Sequence, residues 1–122
     1  MVNSKTILIT GSKGQLGSSV KKISKAYNYN FIFTDKSNLD ITNFELLNQF
    51  FQKNIIDTVI NCAAYTDVDG AELKKNIAKT INHKAVSFLA KICCRHNIQL
   101  IHISTDYVFD GNQNKIYSEN DI

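Results

Sequence analysis

The sequence predicts a doubly wound α/β fold of Rossmann-like type, a parallel sheet with helices on both faces, running through about four strands. Three observations predict it. Short β-branched runs alternate with longer segments of helical period, a glycine-rich turn follows the first run, and no linker, repeat or low-complexity stretch breaks the series. Parallel strands need a crossover between neighbours, and helices of this length supply it.

The first run, "KTILIT" (5–10), reads as a buried strand. Leu16, Val20 and Ile23 then recur at helical spacing through "GQLGSSVKKISKAY", which gives strand, tight turn and helix. "NFIFTD" (30–35) is a second strand. The following "DITNFELLNQFFQK" carries Thr42 and Glu45 at the spacing of a capping box, with Phe44, Leu47, Phe50 and Phe51 on one face. "DTVINCAA" (57–64) is a third strand and residues 76–96 a long helix, with Ile77, Ile81, Ala85, Phe88, Leu89 and Ile92 inward. Asn82 is the odd polar residue of that helix, placed for a buried hydrogen bond. "QLIHIS" (99–104) closes the series as a fourth strand, interior in the order 3-2-1-4-5-6. His102 points away from Ile101 and Ile103 and reads as a packed core histidine.

Composition narrows the classes. A chain of 122 residues is one small domain. Its formal charge of +3 comes from scattered lysines with acids between them, so no basic stripe marks a nucleic-acid partner. Three cysteines, with only Cys93 and Cys94 close together, suit neither a disulfide framework nor a metal site and place the chain in a reducing cytosol. No apolar run has the length of a signal peptide core or a membrane span.

In doubly wound sheets ligands bind beyond the carboxyl ends of the strands, so the segments after residues 10, 35, 61 and 103 carry the chemistry. "TGSKGQLG" follows the first strand and sets Gly11, Gly14 and Gly17 in the spacing G-x-x-G-x-x-G. Glycines there permit a tight turn, approach of the backbone to a pyrophosphate, and close packing of helix on sheet. The amides around Gln15 and Leu16 then face the phosphates from a helix N-terminus. Asp35 stands where an acid accepts hydrogen bonds from a ribose, which favours NADH, whereas Lys36 suits the 2′-phosphate of NADPH. Asp40, followed by Ile41 in "LDIT", is either a helix-start acid or an adenine contact. Ala63 and Ala64 leave room for a flat cofactor or for a close-packed strand end, with Tyr65 next. Cys62 has no cationic neighbour in sequence and reads as a small buried hydrophobe.

After the fourth strand, "STDYVFDG" brings hydroxyls to the same sheet edge as the glycine loop. A hydroxyl in that place can hydrogen-bond a carbonyl beside a nicotinamide. No G-x-S-x-G elbow accompanies it, so a serine hydrolase is a poor fit.

Through "ILITGSKGQLG", "LDIT", "VINCAAYTDVDGAE", "TIN" and "IHISTDYVFDG", the chain resembles the N-terminal part of the extended short-chain dehydrogenase/reductases, and within them the dTDP-4-dehydrorhamnose reductases. The resemblance implies NAD(P)H-dependent reduction of the 4-keto group of dTDP-4-dehydro-L-rhamnose to dTDP-L-rhamnose. Hydride comes from the nicotinamide and a proton from a tyrosine assisted by a lysine four residues later. It further implies that Thr105 hydrogen-bonds the keto oxygen, that Gly11, Gly14 and Gly17 hold the pyrophosphate, and that Val68 and Tyr107 touch the sugar nucleotide. The chain departs from the pattern at one point. Tyr27, Tyr29, Tyr65, Tyr107 and Tyr117 are followed at that distance by Phe31, Phe33, Asp69, Gly111 and Asp121, never by lysine. Residues 1–122 are therefore expected to form an incomplete NAD(P)-binding domain, lacking the Tyr-x-x-x-Lys segment and the substrate domain, cytoplasmic and inactive alone. A non-catalytic regulatory module of the same fold, or a sugar-nucleotide epimerase or dehydratase, is the alternative. The unpaired edge of strand 99–104 is expected to promote self-association.

Overall fold

A computed structural model of the chain describes residues 3–64, 80–103, 116, 118 and 120. Among these residues four strands and three α-helices alternate: β1 (Thr6–Thr10), α1 (Gln15–Ser24), β2 (Asn30–Phe33), α2 (Phe44–Lys53), β3 (Thr58–Asn61), α3 (Ala85–Arg95) and β4 (Gln99–His102). A π-helical turn, Thr80–Lys84, leads directly into α3. All strand pairs are parallel, in the order β2-β1-β3-β4. The fold is the expected α/β layer.

The strand order differs from the expected one. The third strand pairs with β1, not with the outer edge of β2, so the neighbour of β4 is β3 and not β1; β4 is an edge strand among the described residues in either order. The connection from β1 to β2 moves one way along the sheet, while those from β2 to β3 and from β3 to β4 move the other way. Right-handed crossovers then put α1 on one face and α2 with α3 on the opposite face. The side chains agree. Ile32, Leu8, Val59 and Leu100 form one row in register and pack with Leu47, Phe51, Leu89 and Ile92 of α2 and α3. The alternate row, Phe33, Ile9, Ile60 and Ile101, lies on the α1 side, where the Lys21 ammonium sits 5.4 Å from the centre of the Phe33 ring. The reversal between β1 and β3 creates the switch point at which the glycine loop emerges.

Local chemistry sets the helix ends. α2 does not use the Thr42–Glu45 box. Asn43 is its N-cap, its side-chain oxygen accepting from the Leu46 amide at 3.2 Å, while Thr42 is held by Asp40. Asparagine is as good a cap as threonine, and the adjacent carboxylate captured the threonine hydroxyl first. α3 ends in a Schellman motif. Asn97 takes a left-handed φ of 55°, and the Ile98 amide donates to Cys93 O at 2.8 Å, which turns the chain straight into β4.

In α1 the apolar residues at helical spacing are not equally covered, Val20 being half-buried. Gly17 and Ser24 are its buried residues, whereas Leu16 and Ile23 are 42% and 59% exposed. Gly17 is drawn in because its backbone lies against Gly11 and Ser12, closer than any side chain would permit. That contact fixes the roll of the helix and turns the larger residues outward.

Candidate nucleotide-binding site

Three backbone segments converge at the carboxyl edge of β1 and β3. The loop after β1 turns at Gly11, whose φ of 62° belongs to the left-handed region, and a Cβ there would stand 2.5 Å from Ala63 N. The glycine loop and the turn after β3 are thus in backbone contact. Gly14 is different. A Cβ on it would meet only Gly11 O, at an ordinary 3.4 Å, so one side of this residue is open. It is also the N-cap of α1, with no side chain capping the helix and no acid in the first turn. The first amides of α1 therefore lack intrahelical acceptors, and the positive end of its dipole is uncompensated.

A cavity of about 270 Å³ opens beside Gly14. Gly11 and Gly14 form one wall, Asp35, Lys36, Asp40 and Ile41 a second, and Cys62, Ala63 and Ala64 the floor; Ile81, from the π-helical turn, closes the far side. Its surface is mostly apolar, with charged groups confined to the wall after β2. This is what a flat heterocycle with a charged or hydroxylated tail requires.

The two acids of that wall are held by their own loops. Asp35 Oδ1 accepts from the Ser37 amide at 2.7 Å and from the Ser37 hydroxyl, and Oδ2 pairs with Lys13 Nζ at 3.0 Å. The Ser37 hydroxyl, then Lys13, then the Ser37 amide stabilise the carboxylate and lower its pKa to about 2. Asp40 Oδ1 accepts from the Thr42 amide and hydroxyl at 3.0 and 2.6 Å. Both carboxylates are thus oriented before any ligand arrives. Lys13 is largely exposed, so its pairing with Asp35 is the contact that a ligand displaces at least cost.

Of the residues singled out in sequence, Gly11, Gly14, Asp35, Lys36, Asp40, Ile41, Ala63 and Ala64 meet at this cavity. Gln15, Leu16 and Gly17 lie on the first turn of α1 beside it without lining it. Tyr65, Val68, Thr105 and Tyr107 lie outside the described residues. His102 is not a packed core residue: it is exposed on edge strand β4, its Nδ1 3.1 Å from Asn61 Nδ2. Asn82 is exposed rather than buried. Cys62 is half-buried and lines the cavity, and burial pushes its thiol pKa up, which leaves it a poor nucleophile.

Sequence reasoning passed over Lys13, Ser37 and Asn61. Asn61 carried a signal, since a lone amide closing an apolar strand needs a buried partner. It is 1% exposed and accepts from the Thr10 hydroxyl at 2.6 Å. Ser37 carried one as well, two residues after an acid in a turn.

A family model described as the RmlD substrate binding domain matches residues 5–122. The chain belongs to that family. The chain is similar to a dTDP-4-dehydrorhamnose reductase of Aggregatibacter actinomycetemcomitans, 43% identical over 117 residues, which are 95% of this chain and 40% of that protein. The crystal structure of a dTDP-4-dehydrorhamnose reductase from Clostridium acetobutylicum superposes with a TM-score of 0.92 at 42% identity, over 96% of this chain and 42% of the other. That of a dTDP-4-dehydrorhamnose reductase from Bacillus anthracis, in complex with NADP, gives 0.86 at 36% identity, over 91% and 40%. This RmlD-family chain spans about two-fifths of the length of these relatives. Among its described residues, no helix is long and apolar enough to cross a membrane.

Proposed function

We propose that these 122 residues are the dinucleotide-binding portion of an NAD(P)H-dependent reductase acting on the 4-keto group of a dTDP-linked deoxysugar, dTDP-4-dehydro-L-rhamnose. The observation that carries this reading is the open side of Gly14, facing a cavity whose opposite wall holds Lys36 and a pre-oriented carboxylate, Asp35, to which Lys13 of the glycine loop is paired. A Cβ at Gly14 would point into space that a pyrophosphate needs, beside the uncapped amides of α1. The relatives named dTDP-4-dehydrorhamnose reductase, one of them in complex with NADP, support the chemistry.

Each residue has a distinct task. The α1 amides hold the phosphates, Ala63 and Ala64 admit the flat part of the dinucleotide, and Ile41 and Ile81 exclude water from the adenine. Asp35 accepts from ribose hydroxyls when NADH binds; Lys13 and Lys36 supply charge for the 2′-phosphate of NADPH. Bound nicotinamide supplies the hydride. Thr105 orients the keto oxygen, with Val68 and Tyr107 against the sugar nucleotide. General acid catalysis needs a donor within hydrogen-bond reach, and no tyrosine here has a lysine four residues on. We therefore expect residues 1–122 alone to bind cofactor without turnover, as the NAD(P)-binding portion of a cytoplasmic reductase. Self-association through edge strand β4 is part of the same reading. Leu100 packs into the core, so Ile101→Lys, on the exposed side, is the substitution that tests it by light scattering.

Calorimetric titration with NADH and NADPH tests the cofactor site. We expect binding of at least one of them in the micromolar to millimolar range, and a loss of more than about tenfold in Gly14→Val with the circular dichroism spectrum retained. Failure of the folded chain to bind either cofactor at millimolar concentration, or equal affinity in Gly14→Val, would overturn the assignment.

A further inference from the structure

A polar row crosses three strands at the carboxyl edge of the α2/α3 face. Thr10, Asn61 and His102 are register neighbours on β1, β3 and β4, directly beyond the apolar row of Leu8, Val59 and Leu100. The Thr10 hydroxyl donates to Asn61 Oδ1 at 2.6 Å, and Asn61 Nδ2 lies 3.1 Å from His102 Nδ1. The Ala63 amide, in the cavity floor, donates to the same Oδ1 at 3.3 Å.

This last bond settles which way the Asn61 amide faces. A backbone N–H can only donate, so the atom opposite Ala63 N must be the oxygen. The NH₂ group is then turned to β4. His102 Nδ1 must accept from it, and the proton of the neutral ring sits on Nε2. A buried asparagine thus acts in two directions from one fixed orientation.

We propose that Asn61 is a positioning residue, which holds the turn 62–64 against the glycine loop and selects the Nε2–H tautomer of His102. His102 is consequently a neutral hydrogen-bond donor on the strand that leads into Ser104 and Thr105. The inference deepens the cofactor reading and rests on it only for the role of the floor, because the tautomer is a separate consequence of the hydrogen bonds.

The test uses the chain labelled with ¹⁵N in its histidines. Long-range ¹H–¹⁵N correlation at about pH 8.5, above the ordinary imidazole range, should show His102 with bare Nδ1 and protonated Nε2. In Asn61→Asp both side-chain oxygens are acceptors, so the proton should move to Nδ1, whereas His83 and His96 stay unchanged. A mixture of tautomers in the parent chain, or no change in Asn61→Asp, overturns the proposal. NADPH titration supplies the second readout. Asn61→Leu, which keeps volume but leaves the Ala63 amide without its acceptor, should weaken binding about tenfold or more, and His102→Gln, which retains an acceptor for Asn61, should stay within about twofold of the parent. Equal affinity in Asn61→Leu would refute the positioning role. Should the parent bind no cofactor, the function proposed above fails, and the tautomer experiment still decides the inference about Asn61 and His102.

Discussion

The two faces of the sheet are built to different standards. Under α2 and α3, Leu8, Val59, Leu47, Leu89 and Ile92 have no solvent exposure, and one continuous cluster joins both helices to all four strands. On the α1 side burial declines across the sheet: Ile9 is sealed, Ile60 is half-buried, and Ile101 is 40% exposed. α1 itself contributes glycine and serine to the contact and leaves Leu16 and Ile23 outward. A helix roll dictated by a glycine contact serves the loop, not the core. The first face supplies stability, and the second places a helix N-terminus beside a cavity.

The comparison breaks most directly through paired truncations, which carry the largest expected effect. Leu89→Ala empties a fully buried position and should cost about 2–5 kcal/mol in urea unfolding. Ile23→Ala, on a residue of similar size at 59% exposure, should change stability by about 0.5 kcal/mol or less. Comparable losses for the two would mean that the α1 face is buried in solution and that the asymmetry is wrong.

Adjacent cysteines sharpen the same contrast within one helix. Cys93 is 2% exposed in the cluster, and burial pushes its thiol up to about 11, while Cys94 is exposed. Alkylation followed by mass spectrometry should modify the exposed Cys94 readily and Cys93 at least about a hundredfold more slowly, limited by opening of the fold. Similar rates would indicate that α3 is not seated on the sheet.

Much of the fold was legible because its signals are local. Alternation of "TILIT", "NFIF", "TVIN" and "QLIH" with helical segments gave the layer, and the glycine spacing located the cavity. What escaped depended on partners remote in sequence. Leu16, Val20 and Ile23 have a proper helical period, but Val20 is half-buried while Leu16 and Ile23 face outward, because the inward face was decided by Gly17 against Gly11. The side of β1 on which the third strand lies leaves no local trace. Thr42 and Asn43 are both competent caps, and the choice fell to a neighbouring Asp40 that a capping pattern does not include. For His102, alternation gave the correct face; its exposure follows from its place at the carboxyl end of an edge strand. The pairing of Lys13 with Asp35 spans two loops and could not be read from either.

The smallest expected effect lies at the rim of the cavity, where burial contributes little and hydrogen bonds set the energetics. Asp35 is held at a pKa of about 2 against an ordinary 3.8. A depressed carboxylate stabilises the folded state fully above its ordinary value, and that contribution is lost as pH falls from about 3.8 toward 2. The urea midpoint of the parent should therefore drop more steeply across this window than that of Asp35→Asn. The Ser37 hydroxyl is the largest single cause of the shift, whereas the exposed Lys13 acts both by a hydrogen bond and by its charge, so at high salt Ser37→Ala should flatten the acid limb more than Lys13→Met. Added salt should erase the difference between the parent and Lys13→Met while sparing that between the parent and Ser37→Ala, since screening acts on the ion pair and not on a short hydrogen bond. If Lys13→Met has the larger effect, Asp35 is held across the two loops by its ion pair and not by its own turn, and a ligand must break that pair before it can use the carboxylate.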